Sequence, residues 1–339
     1  SGGQQGGNVQ SSPVTTFSES GSTLKEALRK ISNEAPAELF FPHIQIMLIG
    51  EELAKEGMKE LFDVIERDPK FRVLFPVLIV KGHTAEEALK VSTSLKPIPS
   101  AKIEGSLESS KELWGEFLST RADQAIMKLA EGSAAITGIE INGKVEKGNQ
   151  TANMQEISQS AKLEIKGLAI IRGGKLEKWL EGDPARGVVW VNNELEQTVM
   201  NLDCPEEKDA VAIDIGRAKS GIKVKVKKDK PVITIKINTE GAVSETHCSI
   251  ELDKDKTIKA LENQLRKEIK DEVMTTIKTL QEEKSDVFGF GEYINIEDKS
   301  YWKKIKDKWE EEIFPESEVN VEVNATIRRT GMKVKSYLK

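Results

Sequence analysis

Three features of this 339-residue chain predict an α+β fold of three successive domains, each a mixed or antiparallel β-sheet packed with α-helices. Helical and buried-strand text alternate through the first third. From about residue 210, two long stretches alternate apolar and polar residues with period two. Near residue 256 begins a stretch whose apolar residues recur at helical spacing for about eight turns.

The composition fits that prediction. With 38% apolar residues, 31% charged residues, 25 Gly and 11 Pro, the chain is neither collagenous nor prion-like nor disordered throughout. The net charge of -6 gives no broad positive field for holding a phosphate backbone, which counts against nucleic acid as a partner. The longest apolar run, Phe71 to Val80, is interrupted by Arg72 and Pro76 and falls well short of the about 18 residues that would span a bilayer. Cys204 and Cys248 are too few for a disulfide scaffold, and their pairing is open: one bridge or two free thiols.

Residues 1–13 are mostly Gly, Gln and Ser, with Asn8, Pro13 and a single Val, too polar to offset ordering entropy, and read as a flexible tether or disordered loop. No initiator Met or signal-peptide pattern is present, so the chain reads as the trimmed part of something longer. An N-terminal α/β domain is expected over 14–98. Thr23 and Glu26 have capping-box spacing ahead of Leu24, Leu28 and Ile31 on one helical face. PHIQIMLIG reads as a strand, MKELFDVIERDP as a helix stopped by Pro69, FRVLFPVLIVKG as a second buried strand, and Thr84 with Glu87 as another helix cap. This order favours a sheet that is parallel at least in part.

Two prolines in KPIPSAKIEGS, without an apolar period, mark the next boundary, so a middle α+β domain is expected over 99–198. Ser109 and Glu112 open a helix carrying Leu113, Phe117, Ala122, Ile126 and Leu129 on one side, running out near Gly132. AAITGIEING then reads as a strand, and Gly173-Gly174 as the turn of a hairpin. Asp183 fits an N-cap before Pro184, whose missing N–H costs nothing in a first helical turn.

The third domain is expected over 199–339. Val224, Val226, Ile233, Ile235 and Ile237 share one face of an antiparallel pair, and Lys225, Lys227, Lys228 and Lys230 read as its solvent side. A long helix at about 256–284 carries Ile258, Leu261, Leu265, Ile269, Val273, Ile277 and Leu280 as a stripe that covers its own sheet, with a dimeric coiled coil as the rival use. A short helix, YWKKIKDKWEEEIF, and a strand, EVNVEVNATIRRT, close the domain.

Each catalytic pattern fails at a residue that its chemistry needs. Gly173-Gly174-Lys175 is followed by Leu176, where a P-loop requires Ser or Thr. Gly289-Phe290-Gly291 lacks the third glycine of a dinucleotide turn. Asp253, Asp255 and Thr257 imitate a calcium loop, but Ile258 stands where Gly must and Gln264 replaces the bidentate Glu. His43, His83 and His247 lie far apart, and neither HExxH nor CxxC occurs, so no metal or other cofactor is expected. Two Ser-x-x-Lys sequences, at Ser22 to Lys25 and Ser300 to Lys303, together with Arg329-Thr330-Gly331, leave a penicillin-binding-type serine acyl-enzyme as a minor reading; its Ser-x-Asn element is missing.

Three blocks spread over nearly the whole chain resemble the Ger(x)C family, the lipoprotein C subunits of spore nutrient-germinant receptors. The first is His43, then GEELA at Gly50 to Ala54, then Arg67 to Pro69. The second is GLAIIRGGKLEKWLEGDPARGVVWVNN, with Trp179, Leu180, Arg186, Gly187 and Trp190. The third and most specific begins at Asp286-Val287-Phe288-Gly289-Phe290-Gly291, continues through Trp302 and Trp309, and ends at Arg329-Thr330-Gly331.

The resemblance implies a non-enzymatic subunit on the outer face of the spore inner membrane. It implies an anchor through a palmitate-bearing cysteine expected upstream of this chain, and work with two integral-membrane partners, the A and B subunits. Nutrient binding in the family is credited to those partners. Trp179, Arg186, Trp190, Phe288, Gly289, Phe290, Gly291, Trp302, Trp309, Arg329 and Gly331 are therefore either architectural motif residues or partner contacts. Trp302 and Trp309, one heptad apart, are expected on nearly the same helix face. The isolated chain is expected to be a monomer. A rival from another class is an extracytoplasmic protein that binds an amino acid or sugar in a cleft between domains.

Overall fold

A computed structural model describes residues 14–35, 39–93, 96–155, 157–204 and 207–328. The tether expected at 1–13, together with Arg329 and Gly331, lies outside the described residues. The fold is α+β. The chain divides into two compact units, one of Ser1–Ser106, Arg121–Asp123 and Gly138–Lys166, the other of Leu107–Thr120, Gln124–Thr137 and Gly167–Lys339.

In the first unit, α1 (Leu24–Lys30) is capped as its sequence demands, the Glu26 N–H donating to Thr23 Oγ1 at 3.2 Å. There follow β1 (Met47–Gly50), α2 (Glu51–Glu56), α3 (Lys59–Arg67), β2 (Val77–Lys81) and α4 (Ala85–Lys90). Thr84 and Glu87 close both arms of the capping box on α4. β1 runs parallel to β2 with Met47 opposite Val77, and β2 parallel to β3 (Ser133–Gly143) with Ile79 opposite Gly138. This is the parallel pairing expected when a helix separates consecutive strands.

The proline-rich boundary is a helix instead. α5 (Pro99–Leu113) begins at Pro99, which loses no bond in a first turn, and buries Ile103 and Leu107. The single helix expected from Ser109 to Gly132 is broken at Gly115, whose φ of 73° is closed to most residues, and the chain restarts as α6 (Ala122–Glu131). Two short helices, α7 (Val145–Gly148) and α8 (Thr151–Gln155), follow β3. Buried Asn153 of α8 fastens them: its amide donates to the carbonyls of Ser92 (2.9 Å) and Ala161 (3.1 Å) and accepts from the Ala161 N–H (3.0 Å).

β4 (Ala161–Arg172) and β5 (Lys175–Leu180) form the expected hairpin about Gly173-Gly174, within a sheet ordered β1-β2-β3-β4-β5. α9 (Asp183–Val191) starts one residue early, with Gly182 rather than Asp183 at its cap. A second sheet, wholly in the second unit, has the order β6 (Thr198–Leu202), β7 (Val211–Lys227), β8 (Lys230–Thr246), β9 (Glu318–Arg328). β7 and β8 are antiparallel around a turn in which Lys228 and Asp229 both have positive φ, while β9 returns parallel to β8. The return is made through α10 (Asp255–Glu282), α11 (Phe290–Glu297) and α12 (Lys299–Ile305).

The α10 stripe is spent inside the chain. Leu261, Leu265, Ile269, Val273, Ile277 and Leu280 are buried in one core with Val224, Ile233, Ile235 and Ile237 of the β7–β8 hairpin. Each such side chain contributes about 1.5–3 kcal/mol when fully removed from water, so the sheet, rather than a second helix, is what the stripe stabilises against. The closing helix is not continuous: α12 tightens through Lys306–Lys308 and widens to a π turn over Trp309–Ile313, where the Phe314 N–H donates to the Trp309 carbonyl at 2.7 Å.

Cys204 and Cys248 are disulfide-bonded, their Cα atoms 6.6 Å apart and 44 residues apart in sequence, tying the end of β6 to the segment after β8. Closing a loop of that length removes entropy chiefly from the unfolded chain, so reduction or Cys→Ser exchange is expected to cost about 2–4 kcal/mol. Thermal unfolding with and without a phosphine reductant checks this; an unchanged midpoint after thiol titration shows full reduction would refute it.

Candidate interaction site

The third family-like block assembles around one carboxylate. Asp286 is buried at the end of the loop after α10. Its Oδ1 accepts from the Phe290 N–H at 3.1 Å, and its Oδ2 accepts from the Gly291 N–H at 2.9 Å and the Trp309 Nε1–H at 2.8 Å. The first two donors are orphan amides of the first turn of α11, so Asp286 supplies the capping acceptor that Gly289, at the cap position, cannot. Burial pushes the Asp286 carboxyl up, opposed by these three donors.

Gly289 has a φ of 73°, and no atom lies within 4 Å of where a Cβ would stand; only the backbone conformation requires glycine there. Gly291 is the opposite case. A Cβ would come within 2.5 Å of Trp302 Cη2 and 3.1 Å of Trp309 Nε1, so both indoles pack directly on its backbone. Trp302 and Trp309 meet edge to face with centroids 6.0 Å apart, as one heptad predicts, although a change of helix type separates them. Phe288 and Phe290 are tilted rings 5.0 Å apart, and Phe314 completes the stack at 6.1 Å from Phe290 and 5.7 Å from Trp309.

Beside this stack lies a cavity of about 440 Å³, within the second unit, lined by Phe288, Trp302 and Trp309 and by Lys128, Glu131 and Glu310 among others. Burial raises the Glu131 carboxyl, and neighbouring Glu292 and Asp286 raise it further. Burial also raises Glu310, which accepts from the Asp286 N–H at 3.0 Å. Burial lowers the Lys128 amine. The wall is thus aromatic and net acidic, with charges held where water screens them weakly.

The second block makes a separate buried cluster. Arg186 on α9 donates through Nε to both Glu272 carboxylate oxygens (3.0 and 3.2 Å) and through Nη2 to Glu272 (2.6 Å) and Asp183 (2.6 Å); Glu116 lies 3.8 Å from Nη1. Burial pushes Glu272 up to about 7 against the pull of Arg186. Trp190, one turn along α9, is fully buried. Trp179 on β5 is half-buried.

Of the motif residues, the fold therefore brings Phe288, Gly289, Phe290, Gly291, Trp302 and Trp309 together, and places Arg186 and Trp190 on α9 and Trp179 on β5. Arg186, Trp190, Phe288, Phe290, Gly291 and Trp309 are buried and Trp302 is half-buried, while Phe288, Gly289, Gly291, Trp302 and Trp309 all line the cavity. Asp286 opens the third block but is not among the candidate contact residues, and Glu272 and Glu310 are marked by nothing in the sequence. Asp286 had a signal, an Asx residue just ahead of a helix start.

In each Ser-x-x-Lys sequence one member is engaged elsewhere, and Arg329-Thr330-Gly331 lies outside the described residues. The Ser300 hydroxyl donates to Asp298 Oδ1 at 2.7 Å as part of the α12 cap, and Lys25 pairs with Asp68. Among the described residues no group of three or more His, Cys, Asp or Glu is placed to hold a metal, and no helix is long and apolar enough to cross a membrane.

Comparison with known proteins covers nearly the whole chain. Residues 166–331 match the family described as "Spore germination B3/ GerAC like, C-terminal", and residues 1–141 match "Spore germination protein N-terminal domain". Spore germination protein KC of Bacillus subtilis (strain 168) is 32% identical over 98% of this chain and 83% of its own. Spore germination protein YndF of the same organism is 24% identical over 98% of this chain and 78% of its own. The crystal structure of the GerBC protein superposes with a TM-score of 0.63 at 24% identity, covering 88% of this chain and 82% of that one, which speaks for the fold.

Proposed function

Because the chain belongs to the GerAC-like family of spore germination proteins, we propose that it is the C-type subunit of a nutrient-germinant receptor. In this reading it is non-enzymatic and is held at the outer face of the spore inner membrane by a palmitate-bearing cysteine upstream of these residues. It docks on the integral-membrane A and B subunits and supports the signal that starts germination. The observation that carries the reading is the 32% identity to spore germination protein KC over 98% of the chain. The aromatic and acidic cavity beside Gly289 and Trp302 is the docking feature favoured within the second unit, with Tyr293 and Ile296 exposed on the same helix as Gly291. Half-buried Trp179, and Arg329 and Gly331, complete the proposed contact set.

Affinity capture of folded chain with detergent-solubilised A and B subunits tests the proposal. Co-purification that weakens when Trp302 is replaced by Ala is the expected result; absence of association by protein with a native unfolding transition sinks it. One observation favours a second reading, direct binding of a small amine or amino acid: the cavity of about 440 Å³ holds carboxylates against an indole. That reading requires a germinant-dependent thermal shift of the chain alone.

A further inference from the structure

The lysines of the β7–β8 hairpin are gathered toward its turn. Lys223, Lys225 and Lys227 are exposed on one face of β7, with Lys230 opposite Lys227 and Lys228 in the turn. None of the five makes an ion pair among the described residues, unlike Lys236 further along β8, which bonds Glu322 at 2.9 Å. The Tyr301 hydroxyl donates to the Asp229 carbonyl at 2.9 Å. That bond holds α12, with exposed Lys299 in its first turn and exposed Lys303 and Lys304 in its last, against the hairpin turn. Two lysine-rich segments about 70 residues apart in sequence thus converge on one end of the sheet, where Asp229, Asp298 at the α12 cap, Glu297 and Glu318 are among the nearby acids and are outnumbered by the lysines.

The chain carries a net charge of -6, so this end is a local reversal of sign rather than part of a general field. Every cation in it is lysine. Among the described residues, arginine, whose planar fork reads phosphate bidentately and stacks on bases, is missing from it, and no exposed aromatic ring stands among the lysines to stack a base. Flexible point charges on a sheet end suit diffuse attraction to a charged plane better than recognition of one ligand.

We infer that the β7–β8 hairpin tip, with the start of α12, is a contact surface for an anionic phospholipid bilayer. The inference deepens the receptor-subunit reading and rests on it for the presence of a membrane beside the protein. Electrostatic attraction of this kind falls away within a screening length, about 10 Å at about 0.1 M salt and about 3 Å at about 1 M, so it sets which end of the unit faces the lipid only when that end is already near it.

Flotation of the chain with vesicles of phosphatidylcholine alone, or of equimolar phosphatidylcholine and phosphatidylglycerol, tests it. Binding is expected to the anionic vesicles only, to disappear in molar salt, and to weaken about a hundredfold or more when Lys225, Lys227, Lys228 and Lys230 are all replaced by Glu. A parallel variant with the same four changed to Gln, expected to unfold at the wild-type temperature because all four side chains are exposed, separates lost charge from lost fold. No binding to anionic vesicles, equal binding to neutral ones, or tighter retention by duplex DNA than by vesicles overturns the inference. Capture by A and B subunits in detergent is scored separately: its loss with vesicle binding intact refutes the docking reading alone, and the reverse refutes this one alone.

Discussion

Replacing Arg186 with Ala is expected to cost about 3–5 kcal/mol at pH 8, because it strands the buried Glu272 carboxylate without its bidentate partner. The deficit depends on pH, and the direction follows from Glu272. In the intact protein burial holds this carboxyl at about 7, above the 4.5 of an ordinary glutamate. A group whose folded-state pKa is raised keeps its proton in the native state over a window where the unfolded chain has already lost it. Its contribution to stability is fully present below about 4.5 and is lost as pH rises through about 7. Removing the guanidinium removes the main influence opposing burial, so the window in R186A extends further upward. The variant should therefore be much weaker than wild type at pH 8 and recover part of the difference at pH 6. Urea unfolding at the two pH values measures both terms. A loss below 1 kcal/mol, or one independent of pH, would show that Glu272 is solvated or otherwise paired. The apolar double replacement of Arg186 by Met and Glu272 by Leu should restore most of the lost stability, since a buried ion pair and a packed apolar pair are often of similar worth.

That cluster shows where reading the chain reaches its limit. Arg186 is visible in the sequence as a motif residue, but Glu272 is one acid among 56, and only packing α9 on α10 gives it a burial and a partner. Local rules, by contrast, read correctly. The Thr23 and Thr84 caps, the Gly173-Gly174 hairpin and the α10 stripe each follow from a few neighbouring residues and came out as expected. Where a local pattern has two solutions, packing decides between them. Pro99 fits both a linker and a helix start, and burial of Ile103 and Leu107 decides for the helix. Leu113 to Leu129 shows a helical period, yet Gly115 at a φ of 73° splits it. The disulfide was undecidable for a similar reason: the pairing depends on how β6 and β8 end, and their neighbourhood is a property of the sheet.

Asp286 carries the second large effect, and its removal is expected to be felt at three places together. Alanine there leaves the Phe290 N–H, the Gly291 N–H and the Trp309 indole N–H without an acceptor. An unsatisfied buried donor costs about 1–3 kcal/mol. The adjoining cavity lets water reach part of the site, so a total of about 3–4 kcal/mol is expected rather than the full sum. Asn in place of Asp keeps the shape and one acceptor but turns an NH2 toward donors, and should cost about 2 kcal/mol. A mutant cycle separates this account from a general packing defect. Phe at position 309 already deletes one donor, so D286A should cost about 1 kcal/mol less in that background than in wild type. Additive losses would mean that the indole bond contributes nothing. The same bond holds Trp309 against Trp302 and so shapes the wall of the cavity, which makes indole fluorescence a second readout: D286A at low temperature, still folded, should show a red-shifted emission as water reaches the freed ring. If docking to a membrane partner uses this wall, capture by that partner should then fall in D286A before the fold does, whereas loss of capture only at the unfolding transition would assign Asp286 to stability alone.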